Sequence, residues 1–259
     1  MKILLTNDDG IASAELWALA GELKGIGRVT VAAPDREQSA TGTAVTLRQP
    51  LRVQKVSPAV SGIEAYSVEG TGSDSVILAL GKLIDGGVDL VVSGVNQGLN
   101  LGDDILISGT VGAALQGYLR GIPTIAVSIG TKNSPHLNNA ARLTALLAQK
   151  IKNGALPPDV FLNVNLPDLP LSEIKGIKVT ERAHKTHIDT VKEGHDGRRE
   201  YYWLVRQKLN NNTAENTDIQ AVEQGYISIT PLHAALFHRS PASISDEMCA
   251  ELFQELRCK

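Results

Sequence analysis

The chain has 259 residues, 42% of them hydrophobic and 20% charged, with a formal net charge of −3. That apolar content fills the core of one large domain, or of one domain with a smaller appendage, and excludes a disordered chain. The charge excludes the basic footprint of a binder of nucleic-acid duplexes, and no stretch approaches the roughly 20 apolar residues of a membrane span. Met1-Lys2-Ile3 leads directly into an apolar run rather than a secretory leader, so a cytoplasmic protein is expected. Cys249 and Cys258 lie near the C-terminus without CxxC or Cys/His spacing, and read as unpaired thiols of a reducing compartment.

Apolar runs of strand length alternate with amphipathic helical stretches through the first two-thirds of the sequence, the signature of βαβ units and a parallel sheet. Residues 3–6 predict a first strand and 15–23 a helix with Leu16, Leu19, Ala20 and Leu23 at helical spacing. Residues 29–33 predict a second strand, 73–83 a helix capped by Thr71 and Asp74, and 90–92 a short buried strand. A helix over 109–119, a strand over 124–129, a long helix over 136–152 and a strand over 160–164 complete a doubly wound, three-layer α/β sandwich.

After Leu166-Pro167-Asp168-Leu169-Pro170 the pattern changes. Residues 171–230 read as hairpins projecting from the core, with a turn or loop at Asn210-Asn211-Asn212 and a terminal helix over 245–256. The expected division is therefore a catalytic core over 1–170 and an extension over 171–259. Tyr201, Tyr202 and Trp203 on such an extension fit packing against a second subunit, or ordinary packing on the parent domain. His184, His187, His195, His233 and His238 fall mostly in this region and read as exposed or interface groups.

Four segments rich in small and polar residues each follow a predicted strand, and a parallel sheet gathers them at one edge, where ligands bind. The first is Asn7-Asp8-Asp9-Gly10, two adjacent carboxylates that suit a hard divalent cation, in residues that equally favour a turn. The second is the hydroxyl-rich Asp35-Arg36-Glu37-Gln38-Ser39-Ala40-Thr41-Gly42-Thr43. The third, Ser93-Gly94-Val95-Asn96-Gln97-Gly98-Leu99-Asn100-Leu101-Gly102, has glycines at intervals that admit a close ligand. The fourth, Ser108-Gly109-Thr110, opens a helix whose N–H groups suit a phosphate, with simple N-capping by Ser108 or Thr110 as the alternative. Ser39 and Asn96 add neutral oxygens to the acids, or bond within their own loops.

With these segments in view the chain resembles the SurE family, the stationary-phase survival proteins that are metal-dependent 5′-nucleotidases. The likeness rests on residues 3–10, Ala33-Pro34-Asp35-Arg36 leading to Ser39, Ser93-Gly94-Val95-Asn96-Gln97-Gly98-Leu99-Asn100 and Ser108-Gly109-Thr110-Val111-Gly112-Ala113-Ala114. It extends to Leu162-Asn163-Val164-Asn165-Leu166-Pro167 and Gly225-Tyr226-Ile227-Ser228-Ile229-Thr230-Pro231-Leu232. The resemblance implies a Rossmann-like core with a C-terminal extension used in homodimers or homotetramers. It implies one Mg²⁺ or Mn²⁺ per subunit held by Asp8, Asp9, Ser39 and Asn96. It also implies phosphate contacts from Thr41, Gly42, Ser108, Gly109 and Thr110. The chain departs from the family pattern at Ile107, where a tyrosine is expected, at Thr71-Gly72-Ser73-Asp74-Ser75 in place of Thr-Pro-Ala-Asp-Cys, and at Ala12, where a glycine is usual.

The expected activity is hydrolysis of nucleoside 5′-monophosphates to nucleoside and phosphate, with Asp8 and Asp9 the catalytic acids and Asp8 a candidate general base. One rival makes Asp8 or Asp9 a nucleophile forming a phospho-aspartyl intermediate. Another is a phosphoacceptor signalling module, which needs an aspartate at the end of a later strand, where this chain has Ser93-Gly94.

Overall fold

A computed structural model describes residues 1–184, 186–208 and 215–234. The terminal helix over 245–256, Cys249, Cys258, His238 and Asn210-Asn211-Asn212 lie outside the described residues. Eleven strands occur among those described: β1 (Lys2–Thr6), β2 (Arg28–Pro34), β3 (Val53–Lys55), β4 (Glu64–Val68), β5 (Leu90–Gln97), β6 (Thr124–Ile129), β7 (Phe161–Leu166), β8 (Ile177–Val179), β9 (His187–His195), β10 (Glu200–Lys208) and β11 (Ile227–Pro231). The helices are α1 (Ala14–Lys24), α2 (Gly72–Leu78), α3 (Gly109–Tyr118), α4 (Leu137–Lys152) and α5 (Asp218–Glu223).

Nine strands form one sheet in the order β3-β4-β2-β1-β5-β6-β7-β11-β8. The six from β4 to β7 run parallel, while β3 is antiparallel to β4 and β11 to β7, and β8 runs parallel to β11. Ile3, Leu5, Val29, Val31 and Val92 turn one face of the sheet toward Leu16, Leu19, Ala20 and Leu23 of α1 and the alanines of α4. Leu4, Ala32 and Val91 turn the other toward α2 and α3 through Val76 and Ala113. Alternation along each strand thus feeds two apolar layers, and the result is the expected three-layer α/β sandwich. β2 lies on one side of β1 and β5 on the other, so the winding direction changes between β1 and β5 and opens a crevice at their carboxyl ends.

The second half of the chain departs from the sequence reading. β8 and β11 do not project from the core. β11 pairs with β7, Ile229 opposite Val164, and β8 pairs with β11, so the main sheet runs past residue 170. The projecting hairpin is β9-β10, paired from His187/Lys208 to His195/Glu200 apart from the main sheet. Its Val191, Tyr202, Trp203 and Leu204 are exposed, Leu204 at 84%, so the aromatics do not pack on the parent domain.

The cap of α2 follows its residues. Thr71 accepts from the Asp74 N–H at 3.0 Å, Asp74 accepts from the Thr71 N–H at 2.9 Å, and Asp74 also takes the N–H and hydroxyl of Thr46. Because this buried carboxylate satisfies three donors, Asp74→Ala strands them all and lowers stability by about 2–4 kcal/mol. Urea denaturation of both proteins measures it; an unchanged midpoint contradicts the assignment.

Candidate active site

Thr6 of β1 stands opposite Ser93 of β5, so the residues that follow each strand emerge side by side at the crevice. Asn7 and Gly10 close a turn, the Asn7 side chain accepting from the Gly10 N–H at 3.1 Å and donating to its carbonyl at 3.0 Å. The turn reading holds, and Asn7 and Gly10 make the bend that carries Asp8 and Asp9. The Gln38 N–H donates to the Asp8 carbonyl at 2.7 Å, which brings the second segment alongside the first. β5 runs on through Gln97 instead of ending at Val92, with an irregularity between Ser93 and Asn96 against β6 that carries Asn96 to the rim.

These segments enclose a cavity of about 330 Å³ lined by Asp8, Asp9, Ser39, Asn96, Gln97 and Ser108, among others. A larger cleft of about 480 Å³ lies beside Met1, Asp89 and Pro123, at the amino ends of the strands and away from every candidate site residue. Asp8 is 3% exposed, and burial raises its carboxyl pKa above the ordinary value, opposed by a 2.5 Å hydrogen bond donated from the Thr110 hydroxyl. Burial, and then the charge of Asp8, push Asp9 up to about 7. Asp9 Oδ2 is buried without a hydrogen-bond partner. Two crowded acids, one with an orphaned oxygen, are groups that a hard cation could satisfy.

The neutral candidates fit the same guest. Ser39 donates its hydroxyl to Glu37 at 2.7 Å, which leaves its oxygen lone pairs as donors to an ion. Asn96 donates its amide N–H to the Gly98 carbonyl at 2.7 Å and keeps its carbonyl oxygen as a ligand. Among the described residues no group of three His, Cys, Asp or Glu could hold a metal. An ion here would draw on neutral oxygens beside the two acids, a hard-oxygen set suited to Mg²⁺ or Mn²⁺.

The phosphate candidates divide differently. Ser108 lines the cavity, but its hydroxyl accepts from the Val111 N–H at 3.1 Å as the cap of α3, and its own N–H is bonded to the Asp104 carbonyl at 3.0 Å. The Thr110 hydroxyl is committed to Asp8, and Thr41 closes its own loop by donating to the Gln38 carbonyl at 2.8 Å. None of Thr41, Gly42, Gly109 and Thr110 is a wall of the cavity. Gly42 instead donates its N–H to the Ile107 carbonyl at 2.9 Å and seats the second segment against α3 at Gly112.

The family model described as "Survival protein SurE" matches residues 3–189. The chain belongs to the SurE family. A "5′-nucleotidase SurE" from Dehalococcoides mccartyi (strain CBDB1) is 59% identical, covering 99% of this chain and 98% of its own. One from Legionella pneumophila (strain Lens) is 40% identical over 97% of this chain and 100% of its own. The crystal structure of the SurE protein from Aquifex aeolicus superposes with a TM-score of 0.77 at 36% identity, covering 99% of this chain and 100% of that one.

In this SurE chain the cavity has walls that sequence reasoning did not assign a role: Glu37, Gln97, Asn100, Asp104 and Lys132. Lys132 follows β6 just as the other segments follow their strands, which is the signal that could have found it, and the neighbouring Asn133 N–H is bonded to Gln97 at 3.0 Å. Asn100 is held from below by Asn163 and Asn165 of β7 and by Ser128 of β6. Asp104 lies on a 3-10 turn, Gly102–Leu106, that the C-terminal half anchors. Arg182 and the Thr186 N–H bind Asp103 at 2.9 and 2.7 Å, and Asp218 takes the Gly102 N–H at 2.8 Å. The Arg206 Nε sits 2.9 Å from Asp104, an ion pair without hydrogen-bond alignment. His187 also faces Asp104, at 3.4 Å. The base of the β9-β10 hairpin thus fixes the turn that leads into Ser108.

Proposed function

We propose that this chain is a divalent-metal-dependent phosphomonoesterase that hydrolyses nucleoside 5′-monophosphates to nucleoside and phosphate. The observation that carries the reading is the pair Asp8/Asp9, crowded and buried with one oxygen unpartnered, at the switch point of a parallel sheet in a chain whose relatives bear the name 5′-nucleotidase. Asp8, Asp9, Ser39 and Asn96 would hold one Mg²⁺ or Mn²⁺, which when bound supplies the positive charge that a phosphoryl group needs as it transfers.

The chain's own residues do the rest. Ser108, which caps α3 and lines the cavity, would bring the positive end of the α3 dipole to the phosphate oxygens, the N–H groups of Ser108 and Val111 being already bonded. Because Thr41, Gly42, Gly109 and Thr110 do not line the cavity, the phosphate contacts assigned to them reduce to shaping the segments that do. Lys132 adds the cationic side chain of the wall. A water oxygen bonds to phosphorus as the bond to the ribose oxygen breaks; one proton of the water passes to a pocket carboxylate, Asp8 in this reading, the other stays on the released phosphate, and the proton held by the carboxylate passes to the leaving oxygen, which departs as the nucleoside hydroxyl. The aspartate that a phosphoacceptor module needs is absent from β5, which reads Leu-Val-Val-Ser-Gly-Val-Asn-Gln.

The exposed face of β9-β10 supports self-association into a homodimer or homotetramer through a second copy of this chain. No helix among the described residues is long and apolar enough to cross a membrane, and a cytoplasmic location goes with the proposed substrate. Phosphate release from a panel of nucleoside monophosphates, with Mg²⁺, with Mn²⁺ and with chelator, tests the function. Metal-dependent release from 5′-monophosphates is expected. Turnover that survives chelator contradicts it, and a phosphorylated enzyme trapped by acid quench contradicts direct attack by water.

A further inference from the structure

We infer that the first turn of α3 is the clamp that orients the Asp8 carboxylate, with the Thr110 hydroxyl as its positioning group. The inference rests on the metal-dependent reading above and gives Thr110 a role other than phosphate contact. A threonine in the first turn of a helix ordinarily bonds to local backbone. Here its one hydroxyl proton crosses to the turn after β1 instead, donated to Asp8 Oδ1 at 2.5 Å over 102 positions of sequence. Both groups are buried, Thr110 at 0% and Asp8 at 3% exposure, so water does not compete for the bond.

The other carboxylate oxygen meets the same turn. A Cβ added to Gly109 would stand 2.7 Å from Asp8 Oδ2 and 2.8 Å from the Asp8 Cβ. The bare Cα of Gly109 is therefore what lets Asp8 lie where it does, while Thr110 sets the rotation of its carboxylate plane. Groups that hold a ligating carboxylate in this way govern metal affinity without touching the metal or the substrate. Thr110 is also absent from the cavity wall, which leaves its side chain no route to a phosphate.

The test compares Thr110→Val, nearly isosteric but without the hydroxyl, Thr110→Ser, which keeps it, and Gly109→Ala, which displaces Asp8 with the hydroxyl intact. Mn²⁺ alone is titrated into each metal-free protein by calorimetry, and kcat and KM are measured for a nucleoside 5′-monophosphate. For Thr110→Val, Mn²⁺ affinity falls about 10–100-fold; kcat falls with it, and KM for the nucleotide stays within about twofold. Thr110→Ser returns Mn²⁺ affinity to within about threefold of the parent, and Gly109→Ala loses it as Thr110→Val does. If Thr110→Val does not fold, Gly109→Ala with the parent's Mn²⁺ affinity overturns the clamp. Parent-like Mn²⁺ affinity in a folded Thr110→Val, or a loss confined to KM, overturns the inference alone. A parent protein that binds no Mn²⁺ sinks the metal reading with it.

Discussion

Asp9→Asn abolishes phosphate release, by about a hundredfold or more, and raises the melting temperature of the metal-free protein at pH 8. The two effects have one cause. Burial and the neighbouring charges of Asp8, Glu15 and Glu37 oppose ionisation of Asp9 and lift its pKa to about 7 from 3.8. A carboxyl whose folded-state pKa is raised stabilises the fold while it is protonated: the contribution is complete below the unfolded pKa and is lost as pH rises through about 7. At pH 8 the parent carries two crowded charges, one of which an amide at position 9 removes, whereas at pH 5, between the two pKa values, the difference is smaller. Thermal melts of both in chelator at pH 5 and pH 8 measure this, and identical pH dependence in the two contradicts it. A substitution that stabilises the fold while ending turnover marks a group retained for function rather than for stability.

The second large effect is expected at Gly112. A Cβ there would collide with the carbonyl oxygen of Gly42 and lie 2.6 Å from its carbon and 3.0 Å from the Thr43 nitrogen. Backbone faces backbone, so no side chain can rotate out of the way. Overpacking of this kind costs about 1–3 kcal/mol, against about 1 kcal/mol that alanine recovers over glycine inside a helix. Gly112→Ala therefore loses about 2 kcal/mol of stability or more; it also moves the segment bearing Ser39 away from α3, and kcat/KM falls by about tenfold or more, the scale of a misplaced catalytic geometry. Gly21→Ala is the control. Nothing lies within 4 Å of a Cβ at position 21 of α1, so that variant gains about 1 kcal/mol and keeps its activity. Parent-like kcat/KM in Gly112→Ala would contradict the seating of the loop on the helix.

What the sequence made legible was local. β6 spans Thr124–Ile129 as expected, because a fully buried strand in a parallel sheet is a plain apolar run. The α2 cap could be read from Thr71 and Asp74, since a capping box is a spacing rule. The acids of the site could be read because a strand that ends in Asn-Asp-Asp-Gly puts them at the ligand edge by topology alone. What stayed hidden depends on pairing over long separations. β11 was read with the hairpins because its neighbours in sequence are polar, and only its pairing with β7 places it in the sheet. β3 and β4 were missed because neither is a fully buried apolar run, β3 being exposed throughout and β4 mixed. β5 looked finished at Val92, since Ser93-Gly94 reads as loop chemistry, yet the strand continues to Gln97. In the site the hydroxyls were the hardest. Whether Thr110 faces the cavity or Asp8 is set by the rotation of α3 about its axis, which the packing of Gly109, Gly112 and Gly117 on their neighbours determines and composition does not.

The central claim is that three separate segments meet around one ion at the carboxyl ends of β1 and β5. Crystals grown with Mn²⁺ and inorganic phosphate, with an anomalous difference map measured at the manganese edge, test it most directly. The account predicts one peak per subunit within bonding distance of oxygens from Asp8, Asp9, Ser39 and Asn96, with phosphate beside the first turn of α3. A manganese peak elsewhere, with the Asp8/Asp9 cavity holding only water, would contradict it.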